Sequence, residues 1–304
     1  MQSGGTIPGL EDKAAFTLAP GGSNALPILL AVPHDGTDYP RAVIETMRSP
    51  LSTCLRLEDR RVGDIADRVA DRTGVSLLKA CAPRAMIDLN RSSDDIDWGM
   101  VVNAHEKPHQ RSRSTFRSRH GLGLVPRRVS GIGEIWLRPI DKQEIDRRIE
   151  QIHVPYHQTI EEELQRLRDV HGVALLMDLH SMPPLKPKAP GDSAADFVLG
   201  DRFGASCGVE LSEVVLNYLV AKGGRAAHNR PYAGGYVLER HGQPMRGIHA
   251  MQLEISRGLY LDAALDRPTA KLPAISRLVA GLLNVLGSQL LKSQGAPDFL
   301  QAAE

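Results

Sequence analysis

Hydrophobic residues recur along the chain in two patterns. Short aliphatic runs without polar interruption are typical of strands buried on both faces, and apolar positions three or four residues apart predict amphipathic helices. The clearest run is ILLAV at residues 28–32, and the clearest helical stripe includes Ile145, Ile149, Ile152 and Ile160. The predicted strands are 26–32, 75–80, 84–90, 173–181, 225–228 and 248–256, and the predicted helices are 57–70, 141–170, 211–221 and 273–291.

Several residues mark where these helices begin, bend and end. Asp141 with Glu144 three residues later is typical of a capping pair at a helix N-terminus. Gly74 and Gly172 follow two of the stripes, where a helix C-terminus favours left-handed backbone. Pro155 lies inside the longest stripe, and we expect it to kink that helix.

Strands that alternate with helices predict the fold class. We expect an α/β fold with one mainly parallel, mixed sheet flanked by helices. The whole pattern lies within residues 25–292, and no linker divides it, so a single domain is predicted. Residues 1–24 are rich in Gly and Ser and are interpreted as a flexible leader, and residues 293–304 are interpreted as a polar tail.

Composition narrows the class of partner. The 304 residues include 37 Lys and Arg against 36 Asp and Glu, a balance that favours neither nucleic acid nor an anionic membrane. The three cysteines are widely spaced, which excludes a cysteine zinc cluster and favours a reducing compartment, so we expect a cytoplasmic protein. The apolar run at 25–33 is too short to span a bilayer, and no signal peptide is expected. The sequence leaves the oligomeric state open, a homo-oligomer included.

One segment, residues 105–128, is rich in arginine. An RNA-binding surface is one interpretation, because clustered arginines contact phosphates. The neutral total charge and a single aromatic, Phe116, argue against it. A flexible lid that supplies an arginine to a dicarboxylate substrate is the more economical hypothesis, with Arg127 as the candidate. Most of the other arginines there are expected to be solvated.

Two histidines follow or end predicted strands. His34 comes after the strand at 26–32, and His180 lies at the exit of the strand at 173–181. In open α/β sheets, ligands bind beyond the carboxyl ends of the strands. If both strands are central and parallel, the two imidazoles can reach one metal ion. Zinc takes neutral histidine nitrogens and a carboxylate and leaves a position for water, so the pair predicts a catalytic zinc site.

The residues alone leave the third ligand open. Asp35 and Asp38 adjoin His34, and Glu58 and Asp59 open the next predicted helix. Asp59 could equally serve as an acidic residue favoured by the helix dipole.

Three further polar residues lie in or after apolar stretches. Glu254 lies in the middle of the strand at 248–256, where a buried carboxyl has a raised pKa suited to a general base. Asn90 and Arg91 follow the predicted strand at 84–90, and an arginine there is suited to a bidentate grip on a carboxylate, with an ordinary salt bridge as the alternative.

Six stretches, in order, resemble the motifs of the N-formylglutamate amidohydrolase family over about residues 25–265. The family is similar in fold to zinc-dependent carboxypeptidases and to the deacylases that include aspartoacylase, so a zinc-exopeptidase-like, phosphorylase/hydrolase-like fold is implied. The implied reaction is hydrolysis of an N-acyl amide on an acidic amino acid, with N-formyl-L-glutamate as the leading substrate. The stretches are VPHDGTDYP, IDLNRS, GLGLVPR, MDLHSMP, NRPYAGGYVLERHGQP and HAMQLEISRGLYLD.

The resemblance also implies roles for single residues. His34, His180 and Asp59 would hold Zn²⁺, and Glu254 would be the general base. Carboxypeptidase-like relatives place a glutamate three residues after the first histidine, where this chain has Thr37, so the third ligand stays open. The predicted substrate-binding residues are Asn90, Arg91, Arg127, Asn229, Tyr232, Gly234 and Gly235.

Two alternatives stand beside this prediction. Within enzymes, the same site could release another acyl group or trim a peptide as a carboxypeptidase does. Outside enzymes, the chain could bind RNA or another anion through residues 105–128.

Overall fold

The computed structural model describes residues 1–22, 25–102, 116–187 and 193–293. The strands are β1 (Gln2–Gly4), β2 (Phe16–Ala19), β3 (Ile28–Val32), β4 (Ser76–Ala80), β5 (Val101–Val102), β6 (Arg128–Val129), β7 (Gly133–Glu134), β8 (Ile140–Asp141), β9 (Ala174–Met182), β10 (Phe197–Gly200), β11 (Ala226–His228) and β12 (Ile248–Ser256). The helices are α1 (Arg41–Glu45), α2 (Pro50–Leu57), α3 (Val62–Thr73), α4 (Phe116–Arg119), α5 (Lys142–Arg148), α6 (Val154–His171), α7 (Val209–Ala221), α8 (Tyr236–His241) and α9 (Leu272–Ser293).

Eight strands form one mixed sheet in the order β1-β2-β4-β3-β9-β12-β10-β11. The four central strands β4, β3, β9 and β12 are parallel to one another. β10 runs antiparallel to β12 and parallel to β11, and β2 runs antiparallel to both β1 and β4. The predicted α/β fold with a mainly parallel, mixed sheet is therefore confirmed.

Apolar layers cover both faces of the sheet. Successive side chains of a strand point to opposite faces. Leu29 of β3 accordingly belongs to one layer together with Ile160 of α6. Leu30 belongs to the other layer, with Ile65 of α3 and Leu282 of α9. All residues of β3 and β9 are buried, which explains the uninterrupted apolar sequence of β3 and the apolar run 174–177 that opens β9.

Among the described residues, α9 is the helix whose length and apolar composition would allow it to cross a membrane. In the structure α9 packs against α3 and α7, with Leu282 and Leu286 fully buried. A core helix of a globular protein has the same composition, so the expected absence of a membrane span stays a prediction.

The predicted helix boundaries agree with the structure in most details. The Asp141 carboxylate accepts a hydrogen bond from the Gln143 amide over 2.8 Å, and Gly74 and Gly172 have φ of 69° and 78°. The long helix is interrupted by a π-helical turn at 149–153 rather than by a simple kink. Pro155 follows this π-helical turn, at the start of α6.

The predicted strand at 84–90 is wrong, because these residues form turns. The Met86 amide donates to the Pro83 carbonyl over 2.9 Å, and the Asp88 amide donates to the Leu124 carbonyl over 2.7 Å. The side chains of Met86, Ile87 and Leu89 are buried nevertheless. Burial of a turn by the rest of the protein therefore produced a strand-like pattern.

The predicted helix at 57–70 begins later than expected, at Val62. A turn at 58–61 separates α2 from α3, and Arg61 takes left-handed backbone there with φ 59°. Asp59 lies in this turn, so it is not a first-turn helix residue.

The flexible leader expected at residues 1–24 is wrong for its described part, residues 1–22. β1 and β2 extend the sheet beyond β4, and Ile7, Ala15 and Phe16 are almost fully buried. The sequence pattern did not indicate β2 because its apolar residues are few and alternate with polar ones. It did not indicate β10 either. The predicted tail beyond Ser293 lies outside the described residues.

Candidate active site

Three side chains from separate segments meet beyond the carboxyl ends of β3 and β9. His34 follows β3, and His180 lies near the end of β9. Asp59 joins them because its backbone amide donates to the His34 carbonyl over 2.9 Å. The potential ligand atoms of all three lie within 4.8 Å of one another, and each residue is at most 3% exposed. The structure thus brings together the predicted metal ligands.

The two imidazoles present the same nitrogen to Asp59. Nδ1 of His180 lies 2.9 Å from Asp59 Oδ2, and Nδ1 of His34 lies 3.5 Å from the same atom. Each Nε2 is held from behind by a carboxylate at 2.8 Å, Asp88 for His34 and Asp178 for His180. Such outer carboxylates fix the ring orientation of metal-binding histidines. His34 Nδ1 is buried with no hydrogen-bond partner, so the three side chains fit a shared cation.

The carboxylates of this cluster favour the ionised form. Burial by itself would raise the pKa of Asp59, but the hydrogen bond with His180 and the nearby imidazole of His34 outweigh it and hold the pKa well below its ordinary value. Burial opposes ionisation of Asp88 as well, and the charge of Arg84 is the main factor that keeps its pKa well below the usual range. Both groups can therefore act as anionic partners of a metal or an imidazole.

The other carboxylates considered for the third ligand lie elsewhere. Asp35 accepts a hydrogen bond from the backbone of α3, and Glu58 pairs with Arg60 over 2.6 Å. Neither they nor Asp38 belong to the cluster found among the described residues. The geometry therefore favours Asp59.

Glu254 is placed beside this cluster by the sheet. In the parallel pairing of β12 with β9, its backbone lies opposite His180. It is 8% exposed, and Gln252 donates to its Oε1 over 2.9 Å. Burial raises the pKa of Glu254 to about 7, and the charge of Asp59 adds to the shift while that of His180 opposes it. A carboxyl with this pKa can accept and return a proton near neutral pH.

A cavity of about 490 Å³ opens in front of these residues. Among its described lining residues, four arginines face two carboxylates, those of Asp59 and Glu254. The lining is therefore electropositive and suited to an anionic ligand. The four arginines are Arg56, Arg84, Arg91 and Arg257.

Asn90 lies between the cluster and α8. Its Oδ1 accepts the Val237 backbone N–H over 3.0 Å, and its Nδ2 lies 3.4 Å from His180 Nε2. Gly235 passes so close to the Asn90 amide that a Cβ on that glycine would collide with it. The amide is thus held with its NH₂ group toward the site.

The remaining predicted binding residues divide into two groups. Arg91, Tyr232, Gly234 and Gly235 line the cavity as expected. The Arg91 guanidinium is fixed by the carbonyls of Leu122 and Asn90, at 2.9 and 2.8 Å.

Arg127 and Asn229 do not line the cavity, against expectation. Arg127 pairs with Asp97 over 2.6 Å and with Glu134 over 2.7 Å, so its guanidinium is held by neighbouring loops. Asn229 accepts the Asp201 backbone N–H and donates to the Asp201 carboxylate, at 3.0 and 2.8 Å. Both side chains are therefore engaged by protein partners outside the cavity.

Residues 105–115 of the arginine-rich segment lie outside the described part of the chain. The lid and RNA-binding hypotheses for residues 105–128 stay predictions.

Sequence reasoning missed several residues of the site. Asp178 stands two positions before His180 in β9, and a period of two puts both on one face of a strand, so this signal was available. Arg84 pairs with Asp88 over 2.9 Å, four positions later. Arg257 reaches the site from far along the chain and lies 3.3 Å from Asp59 Oδ1, and no local pattern indicates that contact.

A buried histidine cluster, defined by His153, His157 and His241, supports the segment 89–91, which carries Asn90 and Arg91. His153 and His157 donate to the carbonyls of Arg91 and Leu89, at 2.8 and 3.0 Å, and His157 Nδ1 lies 3.0 Å from His241 Nε2. Burial lowers the pKa of His153 to about 4 and that of His241 to about 3. All three are neutral at pH 7 and act as hydrogen-bonding braces.

A sequence model of the family described as N-formylglutamate amidohydrolase matches residues 26–261, more than half of the chain. The chain belongs to the N-formylglutamate amidohydrolase family. The family resemblance seen in the motifs is therefore confirmed. The three residues of the cluster and Glu254 all fall within the matched range.

Named members of the N-formylglutamate amidohydrolase family resemble the chain over most of its length. The N-formylglutamate deformylases of Pseudomonas aeruginosa and Pseudomonas putida are each 32% identical, over 245 and 244 residues. These matches cover 78% of this chain and 83% and 82% of the relatives. The crystal structure of N-formylglutamate amidohydrolase from Ralstonia eutropha superposes with a TM-score of 0.82 at 30% identity, over 93% of this chain and 100% of the other.

Proposed function

We propose that this protein hydrolyses N-formyl-L-glutamate to formate and glutamate with a zinc ion bound by His34, Asp59 and His180. The observation that carries the proposal is the meeting of these three side chains beside Glu254 at one end of an arginine-lined cavity. Family membership and the names of the Pseudomonas relatives support the substrate.

The donor set suits zinc. Two neutral imidazole nitrogens and one carboxylate are typical of catalytic zinc sites, which keep a further position open. Bound there, zinc would polarise the formyl oxygen and lower the pKa of a water molecule toward about 7. Asp88 and Asp178 would keep both imidazoles in the orientation that ligation needs.

Glu254 would move the proton of the reaction. The oxygen of the attacking water bonds to the formyl carbon while Glu254 takes a proton from that water. The bond between carbon and nitrogen then breaks, and Glu254 gives the proton to the departing amine. Its pKa of about 7 suits both transfers.

The rigid polar groups of the cavity would hold the substrate. Asn90 and Arg91 would grip one carboxylate, because both side chains are fixed by backbone contacts before any ligand arrives. Arg84, held against Asp88 at the cavity wall, is placed to stabilise negative charge that develops on the formyl oxygen.

Formate release from N-formyl-L-glutamate tests the proposal. The purified protein is assayed as isolated, after chelation, and after addition of zinc to the chelated sample. We expect turnover that chelation abolishes and zinc restores. Turnover that resists chelation would overturn the metal assignment, whereas a folded, zinc-loaded sample that releases no formate would overturn the substrate. A panel of N-acetyl and N-succinyl amino acids then tests the alternative acyl groups.

A small-molecule partner is part of this proposal. The cytoplasmic location, the lack of a nucleic-acid or membrane partner and a homo-oligomeric state stay predictions.

A further inference from the structure

The four arginines of the cavity differ in how many hydrogen bonds their guanidinium groups already donate to protein acceptors. Arg257 commits each of its nitrogens: Nε donates to Ser181 Oγ over 3.0 Å, Nη1 to the Leu55 carbonyl over 3.3 Å and Nη2 to the Glu58 carbonyl over 2.6 Å. It is also 4% exposed. Its guanidinium therefore supports the turn that carries the metal-binding carboxylate.

Arg84 and Arg91 are held by fixed partners as well. Arg84 directs Nε and Nη2 at one oxygen of Asp88, at 3.0 and 2.9 Å. Arg91 donates to the carbonyls of Leu122 and Asn90. These two cations form the inner wall of the cavity near the histidines.

Arg56 stands apart from these three. Its side chain lines the cavity and is exposed, and within the described part of the chain it makes no recorded hydrogen bond or ion pair. Its Nη2 lies 3.7 Å from the position that a Cβ on Gly131 would occupy, so the guanidinium rests against the turn between β6 and β7. A cation in this setting can pair with a ligand without first breaking a protein ion pair.

The position of Arg56 relates it to the cluster. It lies in the last turn of α2, three residues before Asp59 in the sequence. The same short segment therefore carries a metal-binding carboxylate and a cation of the cavity lining. A ligand bound at the cluster lies in the cavity that Arg56 also lines.

We propose that Arg56 binds the side-chain carboxylate of the substrate and thereby selects an acidic amino acid. The inference rests on the proposed function, in which the substrate is a dicarboxylate. Asn90 and Arg91 account for one carboxylate, and Arg56 is the arginine of the described lining that no described protein acceptor engages, so its guanidinium is left for the second. A guanidinium is suited to this task because its planar fork matches a carboxylate.

The test compares substrates that differ in one charge. Wild type, Arg56→Met and Arg56→Lys are assayed with N-formyl-L-glutamate, N-formyl-L-glutamine and N-formyl-L-isoglutamine. Glutamine lacks the side-chain charge, and isoglutamine lacks the α-carboxylate charge. Arg72→Met serves as the matched control, because Arg72 is exposed at the end of α3 and does not line the cavity.

We expect wild type to prefer N-formyl-L-glutamate over the glutamine derivative. Arg56→Met should lower kcat/KM about 10- to 100-fold for the glutamate and isoglutamine derivatives, mainly through KM, and leave the glutamine derivative nearly unchanged. Arg56→Lys should lose less, and Arg72→Met should behave as wild type.

Other outcomes overturn the inference. An equal loss of kcat/KM on all three substrates would show that Arg56 does not recognise the side-chain charge. No loss of kcat/KM on any of them would show that Arg56 does not bind the substrate. If Arg56→Met lost activity on the glutamate and glutamine derivatives but not on the isoglutamine derivative, Arg56 would bind the α-carboxylate instead. Wild type without a preference between glutamate and glutamine would refute selection by charge. Zinc-loaded wild type that releases formate from none of them refutes the proposed function itself.

Discussion

The buried histidine cluster makes the fold sensitive to acid, and His153 allows the effect to be measured. The pKa of this imidazole falls from 6.5 to about 4 on folding, chiefly through burial, with the charge of Arg240 adding to the shift and that of Asp88 opposing it. A histidine with a lowered folded pKa contributes its stability in full above pH 6.5, and that contribution is lost as the pH falls toward 4.

The magnitude follows from the size of the shift. At pH 5 the unfolded chain has bound a proton at this position and the folded chain has not. The pH then lies about 1.5 units below the unfolded pKa, which corresponds to a loss of about 2 kcal/mol in the free energy of unfolding. His153→Gln should remove this loss, because an amide can still donate to the Arg91 carbonyl but does not titrate in this range.

Urea unfolding of wild type and His153→Gln at pH 7.5 and 5.0 gives the required comparison. We expect wild type to lose about 2 kcal/mol more than the variant between these pH values. Other groups, such as Glu254 with its raised pKa, cancel in the difference. His171→Gln, a replacement outside the cluster, controls for the loss of a histidine from the unfolded chain. Parallel losses in wild type and His153→Gln would refute the reasoning.

Three further predictions concern the metal and the proton. Glu254→Gln should retain zinc but lower kcat at least about 100-fold, and near-normal formate release would remove Glu254 from the reaction. His180→Ala should lose zinc, as measured by metal analysis of the purified protein, and an unchanged zinc content would show that the ligand set is wrong. Asp88→Asn should weaken zinc affinity about 10- to 100-fold in a competition titration, because the carboxylate behind His34 loses its charge. Unaltered affinity would mean that Asp88 does not tune the site.

The central sheet and the two histidines could be predicted because their signals are local. An apolar run predicts a strand buried on both faces, and such a run forms all of β3 and the first four residues of β9. The carboxyl ends of parallel neighbours lie at one edge, so His34 and His180 could be expected to meet. Glu254 was indicated by a different local signal, a carboxyl in the middle of an apolar strand, and the pairing of that strand with β9 places it opposite His180.

The remaining details depend on contacts between distant segments. Four carboxylates near His34 or at the next helix looked equivalent in sequence, and the backbone hydrogen bond from Asp59 to His34 is what distinguishes one of them. Arg127 looked available because its partners, Asp97 and Glu134, could not be paired with it from the sequence.

Buried turns were mistaken for regular structure for a related reason. Ala85, Met86, Ile87 and Leu89 are apolar because the protein packs around them, and the sequence pattern reflects this burial without showing which group accepts each backbone hydrogen bond.

The edge position of β1 and β2 has a consequence for handling the protein. β2 pairs with β4 along four residues, and β1 then covers β2. Removal of residues 1–22, which the leader interpretation would have suggested, would leave one side of β4 without hydrogen-bond partners. Unpaired strand edges template association with other chains. A truncated version is therefore expected to aggregate, and an affinity tag belongs ahead of β1 rather than in its place.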